Sequence, residues 1–408
     1  MLASVWAGEG ADVRYVTSAS WAADSRVMRA SMTIGSVSPS VHKLLAKRRL
    51  PPSLTRSNTR RKATRTAVLF EIVSRFAPAR RGAVLHRLLA EFDRQVAHDV
   101  ATDSPDILIC QYQSAKMTFE AADPSVLRVL NYPIAHHRWM QREFDREHRD
   151  NPSWAAYLEA FGSITERGHV MDAEIHLADI IVVPSSFARD TFLAEGVEPH
   201  KLAVVPLAST FETGDQRTSY RESGPLEILF VGQVSQRKGL SYLVDALNSL
   251  SDDDFRLTIV GRPVPGVREQ FESVHTAGQT VRWVPSLSRR ELSKEMMRAD
   301  VLVLPSLAEG FGLVVAEAMS VGTPVIASDH SVGHDLIRDG QDGFVVPARS
   351  SAALRECLLR LHADPKHSEE MGRNAVDRAR DLSWSRYASR MKSVVSVGRG
   401  PIEGENRR

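Results

Sequence analysis

The sequence predicts an α/β protein made of two doubly wound, parallel-sheet halves, and three observations support this prediction. Short apolar runs rich in β-branched residues alternate with helix-like stretches almost throughout the 408-residue chain, which is typical of parallel strands joined by crossover helices. The length is too great for one domain, because single hydrophobic cores stop growing near ~250–300 residues. A polar, turn-rich segment at residues 210–225 separates the two halves.

The predicted strands are apolar runs bounded by turn residues. The first half contains five, at residues 11–19, 105–115, 126–135, 178–187 and 201–209. The second half contains six, at residues 226–234, 255–263, 279–287, 299–307, 323–329 and 343–348, with helix-like stretches at 241–250, 289–299 and 312–322. We therefore expect an N-terminal domain over residues 1–209, a linker over 210–225, a C-terminal domain over 226–383, a last helix over 384–397 and a disordered tail over 398–408.

The composition is that of a globular protein, with 43% hydrophobic and 25% charged residues and a net charge of +2. These values exclude collagen-like, coiled-coil and largely disordered chains. Two cysteines, Cys110 and Cys357, are too few for a disulfide framework or a thiolate zinc site, so a reducing compartment is expected. No apolar stretch approaches the ~20 residues of a membrane span, and the first residues turn acidic too early for a signal peptide. We therefore expect a cytoplasmic protein.

One segment departs from this charge balance. Residues 25–70 contain eleven lysines and arginines and no aspartate or glutamate. Such a segment can attract anionic lipid head groups or a phosphorylated substrate, so peripheral contact with an anionic membrane is one expectation and a solvated loop is the other. Nucleic acid is not expected as a partner, because few aromatic residues are interleaved with the basic ones.

The first candidate ligand-binding loop, residues 232–239, follows the first strand of the second half. Gly232 permits a turn, Arg237 and Lys238 supply two cations, and Gly239 begins an amphipathic helix. Two cations and free backbone N–H groups at a helix start suit a diphosphate. An ordinary strand–helix turn with exposed basic residues is the alternative.

The second candidate loop, residues 305–312, is more specific. It ends in the sequence EGFG, in which Gly310 and Gly312 would let the backbone approach a ligand closely. The helix that follows offers N–H donors to a phosphate. Glu309 and Glu317 are eight residues apart, about two helical turns, so we expect them to address the hydroxyls of one ligand from the same side. For Glu317 alone, a chance glutamate pair on an amphipathic helix is the alternative.

These two loops resemble the motifs of the retaining GT-B glycosyltransferases of family four, also described as glycosyl transferases group 1. That family pairs a strand–Gly–basic–Lys–Gly loop with an E-x7-E motif, which correspond here to residues 232–239 and 309–317. The likeness is strong from about Ala178 to Pro347 and looser before it. The resemblance implies two Rossmann-like domains that face each other across a cleft, with the last helix crossing back to the first domain.

The resemblance also implies roles for individual residues. Glu309 would contact hydroxyls of the donor sugar, Glu317 would hold the ribose, and Lys238 with Arg237 would neutralise the diphosphate leaving group. The other donor-binding residues would be Gly232, Gly310, Phe311, Gly312 and Leu313. Such enzymes need neither a metal nor another cofactor, because cations and a helix dipole do what magnesium does elsewhere.

The acceptor side is expected in the N-terminal domain. Members of the family often place a histidine facing the donor sugar after the strand at 126–135, which makes His136 the first candidate and His137 the second. His136 is thus predicted to be catalytic together with Glu309 and Lys238, and to stabilise an oxocarbenium-like transition state during front-face attack. A capping or surface histidine pair is the alternative.

Two tryptophans near these histidines are weaker candidates. Trp139 and Trp154 are able to pack on an acceptor, but core packing is the default interpretation for both.

Three departures from the family pattern matter. Gln233 stands where members often have an arginine, although Arg237 can supply that charge, and the glycine expected after Pro206 is absent. The chain also begins at what looks like the end of the first helix, so the opening strand of the N-terminal domain is missing. Losing a mid-sheet strand would leave buried backbone groups unpaired. We therefore expect either that the native start lies upstream, which we favour, or that the first domain is damaged and the activity weak or absent.

The predicted function is metal-independent transfer of a sugar from a nucleotide-sugar donor, with retention of anomeric configuration. UDP or GDP sugars are the expected donors, and a glycan, a lipid-linked intermediate or a small molecule is the expected acceptor. The first alternative is an inactive paralogue that binds a nucleotide sugar or acts as a partner subunit. The second alternative is a GT-B phosphorylase or a nucleotide-sugar epimerase.

Overall fold

The structure of the chain is a computed structural model that describes residues 15–17, 59–61, 81–158, 162–209, 211 and 216–398. Several sequence predictions fall outside these residues. They concern the start of the N-terminal domain, nearly all of the basic segment 25–70, the linker at 210 and 212–215, and the predicted tail from residue 399 on.

The described strands form three sheets, and every recorded strand pairing is parallel. The strands are β1 (Tyr15–Thr17), β2 (Thr59–Arg61), β3 (Ile107–Gln111), β4 (Leu127–Asn131), β5 (Ile180–Val183), β6 (Leu202–Val204), β7 (Leu226–Val231), β8 (Phe255–Val260), β9 (Thr280–Val284), β10 (Val301–Leu304), β11 (Val325–Ser328) and β12 (Phe344–Val346). The sheet orders are β1-β2, β3-β4-β5-β6 and β12-β11-β10-β7-β8-β9. Each strand predicted from the sequence contains an observed one, which confirms the parallel α/β fold.

Helices connect most of these strands, as the alternating pattern predicts. They are α1 (Arg81–Thr102), α2 (Lys116–Glu120), α3 (His137–Asp150), α4 (Pro152–Ala155), α5 (Gly162–Leu177), α6 (Ser186–Leu193), α7 (Leu240–Leu247), α8 (Val267–Val274), α9 (Arg289–Arg298), α10 (Leu313–Ser320), α11 (Gly333–Leu336), α12 (Ser351–Ala363), α13 (Pro365–Ala379) and α14 (Trp384–Gly398). Short 3-10 turns occur at Pro199–Lys201 and Gln236–Lys238. Within the described residues, no helix has the length and apolar character to cross a bilayer.

The described chain divides into two compact units. Unit 1 contains the described residues within Met1–Asn131, Gly162–Ile181 and Ala388–Arg408. Unit 2 contains those within Tyr132–Phe161 and Val182–Tyr387. Helices α3 and α4 therefore belong to the same unit as the six-stranded sheet.

The central strands of the six-stranded sheet in unit 2 are buried on both faces. Ile228 and Phe230 of β7 enter one apolar cluster, whereas Leu229 and Val231 enter another. Successive strand residues point to opposite faces, so both faces are covered, which is why these strands read as uninterrupted apolar runs. The strand order reverses between β7 and β10, which are paired neighbours. Doubly wound sheets bind ligands beyond the carboxyl ends of the strands at such a reversal.

Part of the predicted linker is held on unit 2. Arg217 pairs with Asp300 at 2.7 Å, and both side chains are buried. Arg221 donates hydrogen bonds to the carbonyl oxygens of Leu361 and His362, each at 2.9 Å. These contacts fix the chain just before β7.

In unit 1, a buried carboxylate holds the loop that follows β3. Glu174 of α5 accepts hydrogen bonds from the backbone N–H groups of Gln113 at 2.7 Å and Ala115 at 2.8 Å. Gln113 has a φ of +68°, a left-handed conformation that is uncommon for residues other than glycine. Cys110, on β3, and Cys357, on α12, are free thiols, as expected from their number.

Candidate active site

The two candidate loops lie side by side at the reversal of the sheet in unit 2. The 232–239 loop follows β7 and the 305–312 loop follows β10. The backbone N–H of Leu307 donates to the carbonyl oxygen of Arg237 at 2.8 Å, so the loops are joined directly. The topology therefore brings together the two motifs that were found separately in the sequence.

Gly239 is required by this close approach. It is the N-cap residue of α7 and has a φ of +75°. A Cβ atom at this position would lie 1.9 Å from the carbonyl oxygen of Pro305, and no side chain can be accommodated at that distance. The prediction that Gly239 begins a helix is confirmed, with the 3-10 turn Gln236–Lys238 directly before it.

A carboxylate and two cations meet where the loops touch. Lys238 Nζ donates a hydrogen bond to Glu309 Oε2, and Arg237 Nη1 lies 3.3 Å from the same oxygen. Arg237 Nη1 also donates to the carbonyl oxygen of Ala308 at 2.9 Å. The side chains of Arg237, Lys238 and Glu309 are 9%, 10% and 14% exposed, so neither cation is the exposed residue of an ordinary turn.

The electrostatics of this cluster keep Glu309 ionised. Burial by itself would raise the pKa of the carboxyl, but attraction to Lys238 and Arg237 outweighs burial and lowers the pKa to about 2. An anionic ligand that reaches Lys238 and Arg237 would compete with Glu309 for them. The arrangement can thus exchange an internal ion pair for one with a bound anion.

Gly310 also permits a close approach, but the backbone that approaches it belongs to another segment of this chain. A Cβ atom on Gly310 would lie 1.9 Å from the carbonyl oxygen of Pro133. The Gly310 carbonyl oxygen accepts a hydrogen bond from Ser185 Oγ at 2.6 Å. The prediction that this glycine makes room for a ligand therefore needs correction, because packing inside unit 2 already requires it.

The expected helical relationship between Glu309 and Glu317 is wrong. Helix α10 begins at Leu313, with Gly312 as its N-cap residue, so Glu309 lies in the loop before the helix. Glu317 lies within α10 and is 7% exposed. The side chains of these two glutamates are not aligned by two turns of one helix.

The other predicted donor-binding residues lie around the same two loops. Phe311 is 2% exposed, and its carbonyl oxygen accepts a hydrogen bond from the N–H of Val332 at 3.1 Å. Leu313 packs partly buried against the core. Gly232 lies directly after β7, and a Cβ atom there would be 3.5 Å from Lys238 Cε. Gly232 is therefore next to the lysine that the sequence predicts to bind diphosphate.

His136 caps a helix. It is the N-cap residue of α3, and its Nδ1 accepts a hydrogen bond from the N–H of Arg138 at 3.2 Å. Its ring stacks on His137 with centroids 4.5 Å apart and lies edge-on to Phe192. His136 and His137 are 3% and 4% exposed, so the pair is not on the surface, and the capping interpretation describes its local role.

The two tryptophans differ in their surroundings. Trp154 is 4% exposed and belongs to the apolar core of unit 2, as the default interpretation predicts. Trp139 is partly buried and makes edge contacts with Phe187 and His330, whose rings stack on each other at 5.2 Å. His330 is also next to the candidate loop, because its carbonyl oxygen accepts from the N–H of Glu309 at 3.0 Å.

Sequence reasoning missed Glu147 and Arg349. Glu147 of α3 accepts a hydrogen bond from Gln236 of the 232–239 loop, and Arg349 pairs with Glu147 and Glu143 of α3. Nothing in their sequence neighbourhood distinguishes them from surface residues. Among the residues that the structure describes, no group of three or more His, Cys, Asp or Glu side chains is arranged to hold a metal ion.

Comparison with known proteins relates these loops to one family. Residues 213–378 match the family model described as glycosyl transferases group 1. The chain is 37% identical over 177 residues to a phosphatidyl-myo-inositol mannosyltransferase of Mycobacterium leprae (strain TN), covering 42% of this chain and 46% of the relative. It is 30% identical over 227 residues to a D-inositol 3-phosphate glycosyltransferase of Pseudarthrobacter chlorophenolicus, covering 52% of this chain and 54% of the relative. The matches thus span about half the length of these curated relatives.

The solved structures extend the likeness to more of the fold. A sucrose-phosphate synthase from Thermosynechococcus elongatus superimposes with a TM-score of 0.60 and 21% sequence identity, covering 77% of this chain and 78% of that one. At this identity the likeness concerns the fold, which is that of GT-B glycosyltransferases with two Rossmann-like domains. Residues 213–378, which match the glycosyl transferases group 1 model, include both candidate loops.

Proposed function

We propose that this chain is a glycosyltransferase that moves a sugar from a nucleotide-sugar donor to an acceptor. The observation that supports it best is the cluster of Glu309, Lys238 and Arg237 at the reversal of the six-stranded sheet. A cluster of two cations and one carboxylate at this place suits a diphosphate joined to a sugar, since the cations match the phosphates and the carboxylate matches the sugar hydroxyls.

In this proposal the ligand rearranges the ion pairs. The diphosphate takes over Lys238 and Arg237, and Glu309 turns to the hydroxyls of the donor sugar. Glu317 binds the ribose, while Gly232, Phe311, Gly312 and Leu313 line the donor with backbone groups. Stabilising the leaving diphosphate is then the main catalytic contribution, because its charge grows in the transition state.

The finer features of the reaction follow from the resemblance to retaining enzymes of family four. We propose transfer with retention by front-face attack, in which the leaving phosphate takes the proton of the acceptor hydroxyl. Lys238 and Arg237 supply the positive charge that a metal ion would otherwise bring to the diphosphate. His136 is the proposed residue facing the donor sugar.

The donor and acceptor are proposed at the level of chemical class. UDP or GDP sugars are the proposed donors. The acceptor is a hydroxyl-bearing carbohydrate or polyol, free or linked to a lipid. Since the two curated relatives are named for inositol-containing compounds, inositol phosphate and phosphatidylinositol are the first acceptors to try.

Thermal unfolding with nucleotides tests the donor site. A nucleoside diphosphate at about 100 times its dissociation constant should stabilise the wild type by roughly 2.7 kcal/mol. The Lys238→Ala variant should lose most of this gain, because it lacks one of the two cations. Lys116→Ala is the matched control, since Lys116 is an accessible lysine paired with Glu120 four residues away.

The outcomes separate the competing functions. Stabilisation by one nucleotide, followed by product formation from its sugar conjugate and an acceptor, supports a transferase. Binding without turnover on any acceptor favours the inactive paralogue. Phosphate-dependent breakdown or an isomerised sugar nucleotide would identify a phosphorylase or an epimerase. No stabilisation by UDP, GDP or ADP contradicts the proposed donor site.

A further inference from the structure

A fully buried carboxylate lies at the end of α3 away from His136. Glu147 is 0% exposed. It accepts hydrogen bonds from Gln236 Nε2 at 2.7 Å, Tyr242 OH at 2.9 Å and Asn151 Nδ2 at 3.1 Å, and Arg349 Nε lies 3.2 Å from its Oε2. We call these five residues the Glu147 cluster. A buried carboxylate is tolerated only when such partners satisfy it. The other four residues of the cluster satisfy the carboxylate of Glu147.

The backbone of Arg349 shows that its side chain matters. Arg349 has a φ of +66°, in the left-handed region where glycine would be less strained. Its guanidinium reaches both Glu147 and Glu143, with Nη1 2.5 Å from Glu143 Oε2. It also donates through Nη2 to the Glu143 carbonyl oxygen at 3.1 Å. An arginine in a strained conformation at a position suited to glycine indicates that the side-chain contacts offset the strain.

Gln236 connects this cluster to the cations. It is the first residue of the 3-10 turn that continues into Arg237 and Lys238, and it is completely buried. Its Nε2 donates to Ser241 Oγ at 2.6 Å as well as to Glu147, and its Oε1 accepts from the N–H of Ser241 at 3.1 Å. Every polar atom of this side chain is thus held, and the position of the following two residues depends on it.

The backbone of the turn is held from the same side. The N–H of Gln236 donates to the carbonyl oxygen of Tyr157 at 2.9 Å, just after α4. Burial and the charge of Glu147 raise the pKa of Tyr242, so its hydroxyl stays protonated and donates to Glu147. The segment that contains α3 and α4 therefore fixes Gln236, the first residue of the 3-10 turn, through one backbone and several side-chain contacts.

We propose that Glu147 is a positioning residue for the donor diphosphate, acting through Gln236 on Arg237 and Lys238. The inference rests on the proposed function and adds to it a role for Glu147 in diphosphate binding. Loosening the Glu147 cluster displaces the two cations, so recognition of the second phosphate weakens, while contacts with the rest of the nucleotide are kept. Replacing a residue that only supports the fold would weaken the binding of diphosphates and monophosphates alike.

The test compares nucleoside diphosphates with the matching monophosphates. Dissociation constants of the full chain for UDP and UMP, GDP and GMP, and ADP and AMP are measured by calorimetry, for the wild type and for Glu147→Gln. The amide keeps the shape and removes the charge. We expect the preference of the variant for the diphosphate to fall by about tenfold, with monophosphate affinity unchanged, since hydrogen bonds to charged groups are worth about that factor or more.

Two further variants keep the test decisive. Tyr242→Phe removes the hydroxyl that donates to both oxygens of Glu147 but leaves Gln236 in contact with Glu147. It should lower the diphosphate preference by less than Glu147→Gln does, and it replaces Glu147→Gln if that variant does not fold. Glu295→Gln is the matched control, because Glu295 is also a buried, ion-paired glutamate on a helix but its recorded partners, Arg282 and Arg298, are outside both candidate loops. The ratio of diphosphate to monophosphate affinity of Glu295→Gln should equal that of the wild type.

The possible failures are distinct. If the wild type binds no nucleoside diphosphate, the proposed function fails, and this inference fails with it. If the wild type binds one and the folded Glu147 and Tyr242 variants keep its diphosphate preference, only the inference is overturned. A parallel loss of diphosphate and monophosphate affinity would also overturn it, since that result describes a structural residue.

Discussion

Two glutamates, the buried Glu174 in unit 1 and the largely buried Glu309 in unit 2, have pKa values shifted in opposite directions. At Glu174, burial is the largest cause and raises the pKa to about 7, although two backbone N–H groups donate to the carboxylate. At Glu309, burial acts in the same sense, but Lys238 and Arg237 outweigh it and lower the pKa to about 2. At Glu174, two backbone N–H groups and the charge of Arg167 do not compensate the loss of water and the repulsion of Asp93. At Glu309, two adjacent positive charges do compensate the loss of water.

The difference separates a structural carboxylate from one suited to ligand exchange. Glu174 holds the loop after β3 through fixed backbone donors, which no ligand can replace. Glu309 is held by side-chain cations that an anion can take over. The environment of a buried glutamate is therefore more informative about its role than its burial.

The largest expected effect is that of Glu309→Gln. The amide cannot accept the paired hydrogen bonds of the sugar as a carboxylate does, so turnover should fall by about 10²-fold or more. The same change frees Lys238 and Arg237 from their internal partner, so free nucleoside diphosphate should bind at least as tightly as to the wild type. Transfer assays and calorimetry with the nucleotide alone measure the two effects separately.

This prediction contrasts with that for Lys238→Ala, which should weaken free nucleotide binding. If both variants lose nucleotide affinity equally, the exchange of ion pairs proposed for Glu309 is wrong. Glu309 would then differ from Glu174 only in having side-chain cations as partners, and not in exchanging them for a ligand.

A smaller effect is expected for the pH dependence of stability at Glu174. Because its folded pKa of about 7 lies above the ordinary glutamate value of 4.5, the native state binds this proton more tightly than the unfolded chain does. The free energy of unfolding therefore falls as the pH rises from about 4.5 to 7, by up to about 3 kcal/mol. Glu309, with its lowered pKa, contributes in the opposite sense and loses its contribution only as the pH falls towards 2.

Urea unfolding of Glu174→Gln across this pH range measures the contribution of Glu174. Relative to the wild type, the variant should become more stable as the pH rises from 4.5 to 8, since the amide does not ionise. Glu166→Gln on the same helix is the control, because Glu166 is exposed. An equal pH dependence of the wild type and Glu174→Gln would show that Glu174 is ionised in the folded protein at pH 5.

The smallest effect concerns the neutral contact at the 305–312 loop. Ser185 Oγ donates to the Gly310 carbonyl oxygen and accepts from the N–H of Ala188 at the start of α6. Ser185→Ala removes both bonds and should lower the free energy of unfolding by about 1–2 kcal/mol. Ser186→Ala is the control, and chemical denaturation is the measurement. A loss of turnover as large as that of Glu309→Gln would mean that this neutral contact matters as much as the charge.

Much of the fold and both candidate loops are predictable from the sequence. The central strands of the six-stranded sheet are buried on both faces, so they appear as continuous apolar runs, and the loops at their carboxyl ends are easily located. Glycine and charge patterns at 232–239 and 305–312 then point to a ligand. The structure confirms the strands and shows the loops in contact.

Local patterns are poor guides to contacts where the chain leaves regular structure. The spacing of Glu309 and Glu317 resembles two helical turns, but α10 begins only after Gly312. Gly310 lies in a glycine-rich motif of the kind that lets a ligand approach the backbone, yet Pro133 occupies the space beside it. Both errors arise because residue spacing does not record where a helix begins or which segment packs against a loop.

The amino-acid sequence was sufficient for most of the strands, the parallel architecture and the two loops, since the apolar runs and turn residues that mark them are close along the chain. The partners of the charged groups were decided only by the tertiary structure. Lys238 and Glu309 are 71 residues apart, and Glu147 and Arg349 are 202 apart. Such pairs have no periodic signal, because packing of the folded backbone, and not local propensity, brings their charges within reach and removes the water that would screen them.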